Sequence, residues 1–211
     1  MSVKSRTPEP TMIGSTVTVI AKVAEVGELG VEQRRFQFIS DTRGGSAFLL
    51  AGAAFWLVGA VVTLVWPGVG VQWVLYAGLS VPILGVAIGR AQGVKFSSHP
   101  TYATLAGLAT VTELAALPTM FFLRESFPGA LPGILLIADG AHLMIMMWLH
   151  LDYTYFLAGN AKIVLGVLFI FGMLWPGSYP LQLGAAGLVS LIAVPFVWRD
   201  SGRTIHLYLR T

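Results

Sequence analysis

The chain contains no cysteine, and only 11% of its 211 residues are charged, against roughly a quarter in an ordinary soluble domain. Without thiols there is no disulfide, no thiolate nucleophile and no Cys-ligated zinc or iron–sulfur centre. Histidine, methionine and the carboxylates are the ligand types left. Charge is also unevenly spread: residues 44–89 and 163–198 hold no Asp, Glu, Lys or Arg. A water-soluble domain cannot clothe its surface with such stretches. Missing too are a phosphate-binding loop, an HExxH or Gly-x-Ser-x-Gly motif, and a leader with a long apolar core.

What is present is apolar, at 55% hydrophobic residues and a mean hydropathy of +0.76. A helix needs about 20 such residues to cross roughly 30 Å of hydrocarbon. Runs of about that length occupy residues 45–66, 71–89, 101–123, 131–149, 162–175 and 181–198, with the fifth starting as early as Tyr155 on a looser reading. The expected fold is an all-α, polytopic membrane bundle of six helices. Residues 1–43 read as a cytoplasmic N-terminal segment, 44–199 as the transmembrane domain and 200–211 as a short basic tail. Within the first segment, residues 16–19 alternate like a strand and 21–39 read as a broken interfacial amphipathic helix.

Charge at the span ends sets an orientation. One side collects Arg34, Arg35, Arg43, Arg90, Lys95, Lys162, Arg199, Arg203 and Arg210, the other only Arg124, so the positive-inside rule puts both termini in the cytoplasm. The net charge of +3 follows from this topology and forms no nucleic-acid patch. Outer turns then fall at Pro67-Gly68, Pro128-Gly129 and Pro176-Gly177, too short to hold a domain. Aligning residues 55–90 on 164–199 matches Trp66, Pro67, Gly68, Ala77, Gly78, Leu79, Ile83 and Arg90 to identical residues, the mark of a repeated two-helix hairpin. Glycines at 52 and 59, 78 and 85, and 166, 172, 184 and 187 read as close-packing faces. Tryptophans 66, 73, 148, 175 and 198 read as headgroup anchors.

Ionisable side chains inside the spans are expensive in lipid and usually face protein or water. Three are expected there: Glu113 on the third span, with Asp139 and His142 on the fourth. By helical rise, Glu113 lies about 18 Å from one face and Asp139 about 12 Å from the other, which brings both near mid-depth. Asp139, His142, Met146, His150 and Tyr153 fall in an arc of about 80° on one helix face. Read functionally, this stripe with Glu113 opposite lines a proton or ion path, or a small-solute site; read structurally, it ties two helices together by hydrogen bonds. Lys162 is placed at the solvated rim with Asp152, leaving no lysine within a span to hold retinal. No cofactor is expected, haem or copper at His142, Met146 and His150 being the one metal option. Pro82, Pro118 and Pro195 should kink the second, third and sixth spans.

The stretch Gly140-Ala-His-Leu143, then Trp148 and Tyr153-x-Tyr155, with Thr112-Glu113 through Phe122 upstream, resembles a family of small bacterial six-helix membrane proteins of unknown function. The resemblance covers residues 48–197, although Met144 follows Leu143 without the proline of that pattern. It implies a multi-pass protein of the bacterial cytoplasmic membrane and singles out His142; no activity comes with it. The reading that follows is a small-solute or ion carrier or channel, proton-coupled, with membrane lipids around it and no nucleic acid. The alternatives are an accessory subunit of a membrane complex, homo-oligomeric or mixed, and an enzyme on a lipid-soluble substrate. The last would need His99, His150, Asp152 and His206 brought together at the rim.

Overall fold

A computed structural model describes residues 30–95, 100–172 and 178–208, with side chains described to residue 202. The expected strand at 16–19, most of the amphipathic segment, the turn at Pro176-Gly177, Trp175 and His99 lie outside the described residues, as does the side chain of His206. Contacts divide the chain into two units, residues 1–34 and 35–211. In the first, the described turn 30–34 is closed by Arg34 Nε donating to the Gly30 carbonyl at 3.0 Å.

Every regular element among the described residues is helical. After α1 (residues 30–41) come α2 (Ser46–Val65), α3 (Gly70–Tyr76), α4 (Val81–Ala91), α5 (Pro100–Leu114), α6 (Leu117–Leu123), α7 (Leu131–His150), α8 (Tyr153–Ile170) and α9 (Tyr179–Tyr208). They make six helical runs long and apolar enough to cross a bilayer: Arg43–Val65, Pro67–Ala91, Pro100–Leu123, Pro128–His150, Tyr153–Ile170 and Tyr179–Gly202. In lipid each run must satisfy its own backbone, which is why only helices serve here. This is a multi-pass membrane bundle.

Turn chemistry sets the boundaries. Pro67–Val69 and Pro128–Ala130 are 3-10 turns that open directly into α3 and α7, since proline lacks the N–H that a first helical turn leaves unused. The α7–α8 corner is sharper: Leu151 adopts φ 54°, and the Asp152 side chain accepts from the Thr154 N–H at 2.8 Å to cap α8. That cap moves the start of the fifth span to Tyr153 and corrects the expected 162–175. Lys162 therefore lies in the middle of a helix and is buried, so the rim pairing with Asp152 is wrong.

The second and third spans are discontinuous. The second breaks at the 3-10 turn Ala77–Ser80 just before Pro82, and the third breaks at residues 115–116 just before Pro118. The Ala116 N–H turns back to the Glu113 carbonyl at 3.1 Å, a three-residue bond in place of the four-residue one. Pro195, by contrast, sits within α9 without interrupting it. The two hairpins that the sequence alignment pairs thus differ at their second helix.

Around the bundle the order is α4, α2, α9, α8, α7, α5, with the closest pairings α7 on α8 and α2 on α9. The α7–α8 contact runs through Gly133 against Gly166 and Gly140 against Gly159. A Cβ at Gly133, Gly140 or Gly166 would stand 2.6 Å from the facing carbonyl oxygen. Of the small faces expected, Gly85 meets the Phe48 ring and Gly59 the Trp73 ring, whereas Gly187 meets both the side chain and the backbone nitrogen of Leu57. One end is tied by Tyr179 Oη donating to the Pro128 carbonyl. At the other, Tyr155 Oη donates to the Gly44 carbonyl and Trp198 Nε1 to Ser46 Oγ at 2.7 Å.

Candidate functional site

Mid-depth residues of four spans converge on one cluster. Lys162 Nζ of α8 lies 2.5 Å from Asp139 Oδ2 of α7, and Trp56 Nε1 of α2 donates to the same oxygen at 3.0 Å. Lys162 and Trp56 are each 1% exposed. With one carboxylate oxygen receiving both donors, the pair is charge-balanced and hydrogen-bonded, the condition for keeping ions out of water. Glu113 approaches from α5, within electrostatic reach of Asp139 and Lys162. It sits one residue before the end of α5, beside the break that precedes Pro118.

A cavity of about 400 Å³ opens on this cluster, within the range of small-molecule sites. Glu113, Asp139, His142, Met146 and His150 all line it, together with Lys162 and Trp56. The arrangement brings together every expected polar residue of the stripe except Tyr153. α7 ends at His150, so Tyr153 opens α8 and points outward at 63% exposure; Tyr155 takes its place in the wall. His142 is buried, its ring interacts with the Ala109 backbone, and its Nδ1 meets no protein partner. Among the described residues no hydrogen bond joins Asp139 to His142 or Glu113; Asp139 instead holds Lys162 and Trp56, and His142 by itself links the fourth span to the third at the Ala109 backbone.

The cavity is polar at its inner end and apolar along its walls. It runs from Phe38, Thr42 and Gly45 at the end that carries the α7–α8 corner up to the mid-depth cluster. His150 is stacked between Phe38 (5.4 Å) and Tyr155 (5.5 Å) at that end. Beyond the cluster the bundle is filled by Leu75, Met120, Leu131, Leu136 and Leu183, all fully buried. A second void of about 20 Å³, the size of a water site, lies between the breaks in spans two and three and shares Glu113 with the large cavity.

Among the described residues, no three His, Asp or Glu side chains stand close enough to hold a metal ion. Lys162 and Trp56 are the residues that the sequence reading passed over. Lysine at the edge of an apolar run looks like a boundary, yet Tyr153–Ala161 ahead of it is itself apolar and aromatic, and Asp152 is the capping residue that shows where the helix begins.

No curated protein and no solved structure matches the chain. A family profile does, over residues 31–200, which takes in α2 through the membrane-crossing part of α9 and every residue of the cluster. The chain belongs to the family of unknown function DUF7010.

Proposed function

We propose that this protein is a proton-coupled carrier that moves a small solute across the membrane. The observation that supports the reading is a mid-depth set of titratable groups, Glu113, Asp139, His142 and Lys162, around one cavity that reaches one end of the bundle and meets packed core toward the other. Carriers need such asymmetry, with a central site reachable from one face at a time, and they commonly build the site beside interrupted helices. The breaks before Pro82 and Pro118 flank Glu113. Carboxylate and imidazole groups at the site can hand over protons as the solute binds and leaves.

The test is flux into proteoliposomes carrying a trapped pH-sensitive dye, screened over classes of small solutes with and without a pH gradient. Wild-type protein should move protons only with its solute, and Glu113→Gln, Asp139→Asn and His142→Ala should each abolish the coupling. Wild-type behaviour of all three variants in every screen overturns the reading.

One observation favours an accessory subunit instead. The spans Pro67–Ala91 and Pro100–Leu123 bury only 17% and 11% of their most apolar windows, against 50% for Pro128–His150, which leaves a broad apolar face for another membrane helix to cover. Purification in mild detergent separates the two readings: a stoichiometric partner supports the subunit, and a chain recovered alone supports the carrier.

A further inference from the structure

The wall of the cavity is incomplete along one side. α4 and α5 both contribute walls, through Val81, Pro82 and Val86 on one and Ala103, Ala106 and Thr110 on the other, yet these two helices are not packed together as the other neighbours around the bundle are. Small residues line the α5 edge, and a Cβ built on Gly107 meets nothing within 4 Å. Outside the gap the surface is apolar: Ile83 and Leu84 on α4 and Leu108 and Val111 on α5 are exposed, as lipid-facing residues are. The gap therefore faces acyl chains.

The titratable groups inside do not pair off evenly. Asp139 and Lys162 neutralise each other, and no second Lys or Arg lines the cavity among the described residues. Glu113 is the carboxylate in excess. Asp139 and His142 from α7 and Lys162 from α8 are the titratable groups around it; α2 and α9 present Trp56 and Ser190 there, which carry no charge. Phe48, Phe55 and Trp56 supply aromatic faces to the same space, and such faces attract a cation in a desolvated site.

We propose that the solute is a lipophilic ammonium or similar organic cation, which enters from the bilayer through the gap between α4 and α5 and takes Glu113 as its charge partner. This rests on the carrier reading and narrows it. A proton and the cation then compete for one carboxylate, and that exclusion couples their movements without a second site.

The experiment measures binding to purified protein in nanodiscs, with tetraphenylphosphonium and its isosteric anion tetraphenylborate as probes. Tetraphenylphosphonium should bind saturably and more weakly as pH falls, since protons displace it. Glu113→Gln should weaken it by about tenfold or more, whereas Glu125→Gln, which removes an exposed carboxylate outside the cavity, should not. Gly107→Leu and, independently, Ala103→Phe should slow association from the membrane by closing the gap. Tighter binding of tetraphenylborate, or unchanged affinity in Glu113→Gln, overturns the proposal. If anionic or neutral solutes are carried with proton coupling and the cation is ignored, this inference fails and the carrier reading stands; if the cation binds at Glu113 and no solute drives flux, the carrier reading fails and only the cation site stands.

Discussion

Lys162 reaches Asp139 at 2.5 Å because the helices that carry them touch backbone to backbone close by, at Gly140 and Gly159. A lysine and an aspartate buried in a membrane bundle are tolerable only as a pair, and the pair forms only if α7 and α8 come this close. Trp56 adds a third helix to the same oxygen. The cluster is at once a structural joint and the polar end of the cavity.

Breaking one half of the pair should cost more than removing both. Lys162→Met or Asp139→Asn leaves one ion buried and uncompensated, a loss of about 3–5 kcal/mol, whereas the double variant replaces the pair by neutral groups and should recover most of it. Unfolding in mixed micelles for the two single variants and the double gives the coupling directly. Additive losses would mean that the two groups do not stabilise each other.

The α7–α8 contact predicts a contrast among glycines. Gly140→Ala must push the helices apart, since its Cβ would stand 2.6 Å from the Gly159 carbonyl oxygen; overpacking of this kind costs about 1–3 kcal/mol. Gly129→Ala meets nothing within 4 Å and should stay within about 0.5 kcal/mol of wild type. Thermal melting in detergent checks both.

At the start of the first span, Gly45 has φ 76° and a Cβ there would meet His150 Nε2 at 2.7 Å. Gly45→Ala combines a left-handed penalty of about 1–2 kcal/mol with a clash against a stacked ring. Tyr155→Phe removes only the donor to the Gly44 carbonyl and should cost about 1 kcal/mol. The order of melting temperatures should be wild type, Tyr155→Phe, Gly45→Ala.

Because the native chain has no cysteine, single cysteines report cleanly. Ala106→Cys and Thr110→Cys place thiols in the cavity wall, while Leu108→Cys and Val111→Cys place them on the exposed apolar face. Thiolate forms where water reaches and not in acyl chains, so a water-soluble maleimide should label the first pair much faster. Equal rates across the four would mean that the cavity is dry.

Even without Lys162, the remaining basic residues still crowd one side of the membrane, so reporter fusions at either terminus should both read out in the cytoplasm. Opposite compartments would remove one span from the scheme.

Much of this was legible in the residues themselves. Stretches without charge and Pro-Gly turns mark the spans, and the mid-depth positions of Glu113, Asp139 and His142 follow from helical rise alone. The breaks before Pro82 and Pro118 were legible too, because a missing N–H acts locally. Pro195 was not: whether the helix interrupts or absorbs the lost bond depends on its neighbours, and α9 runs on unbroken.

Composition determined the solvent, and with it the secondary structure, since hydrocarbon permits a chain like this one only helices that satisfy their own backbone. Tertiary structure alone decided which polar groups meet. Lys162 looked like the end of a helix until the Asp152 cap moved that end back to Tyr153, and nothing in the sequence around Trp56 says that its indole donates to Asp139 on another helix. The physical reason is that a buried charge is matched across helices, by side chains distant in sequence, and no local pattern records who the partner is.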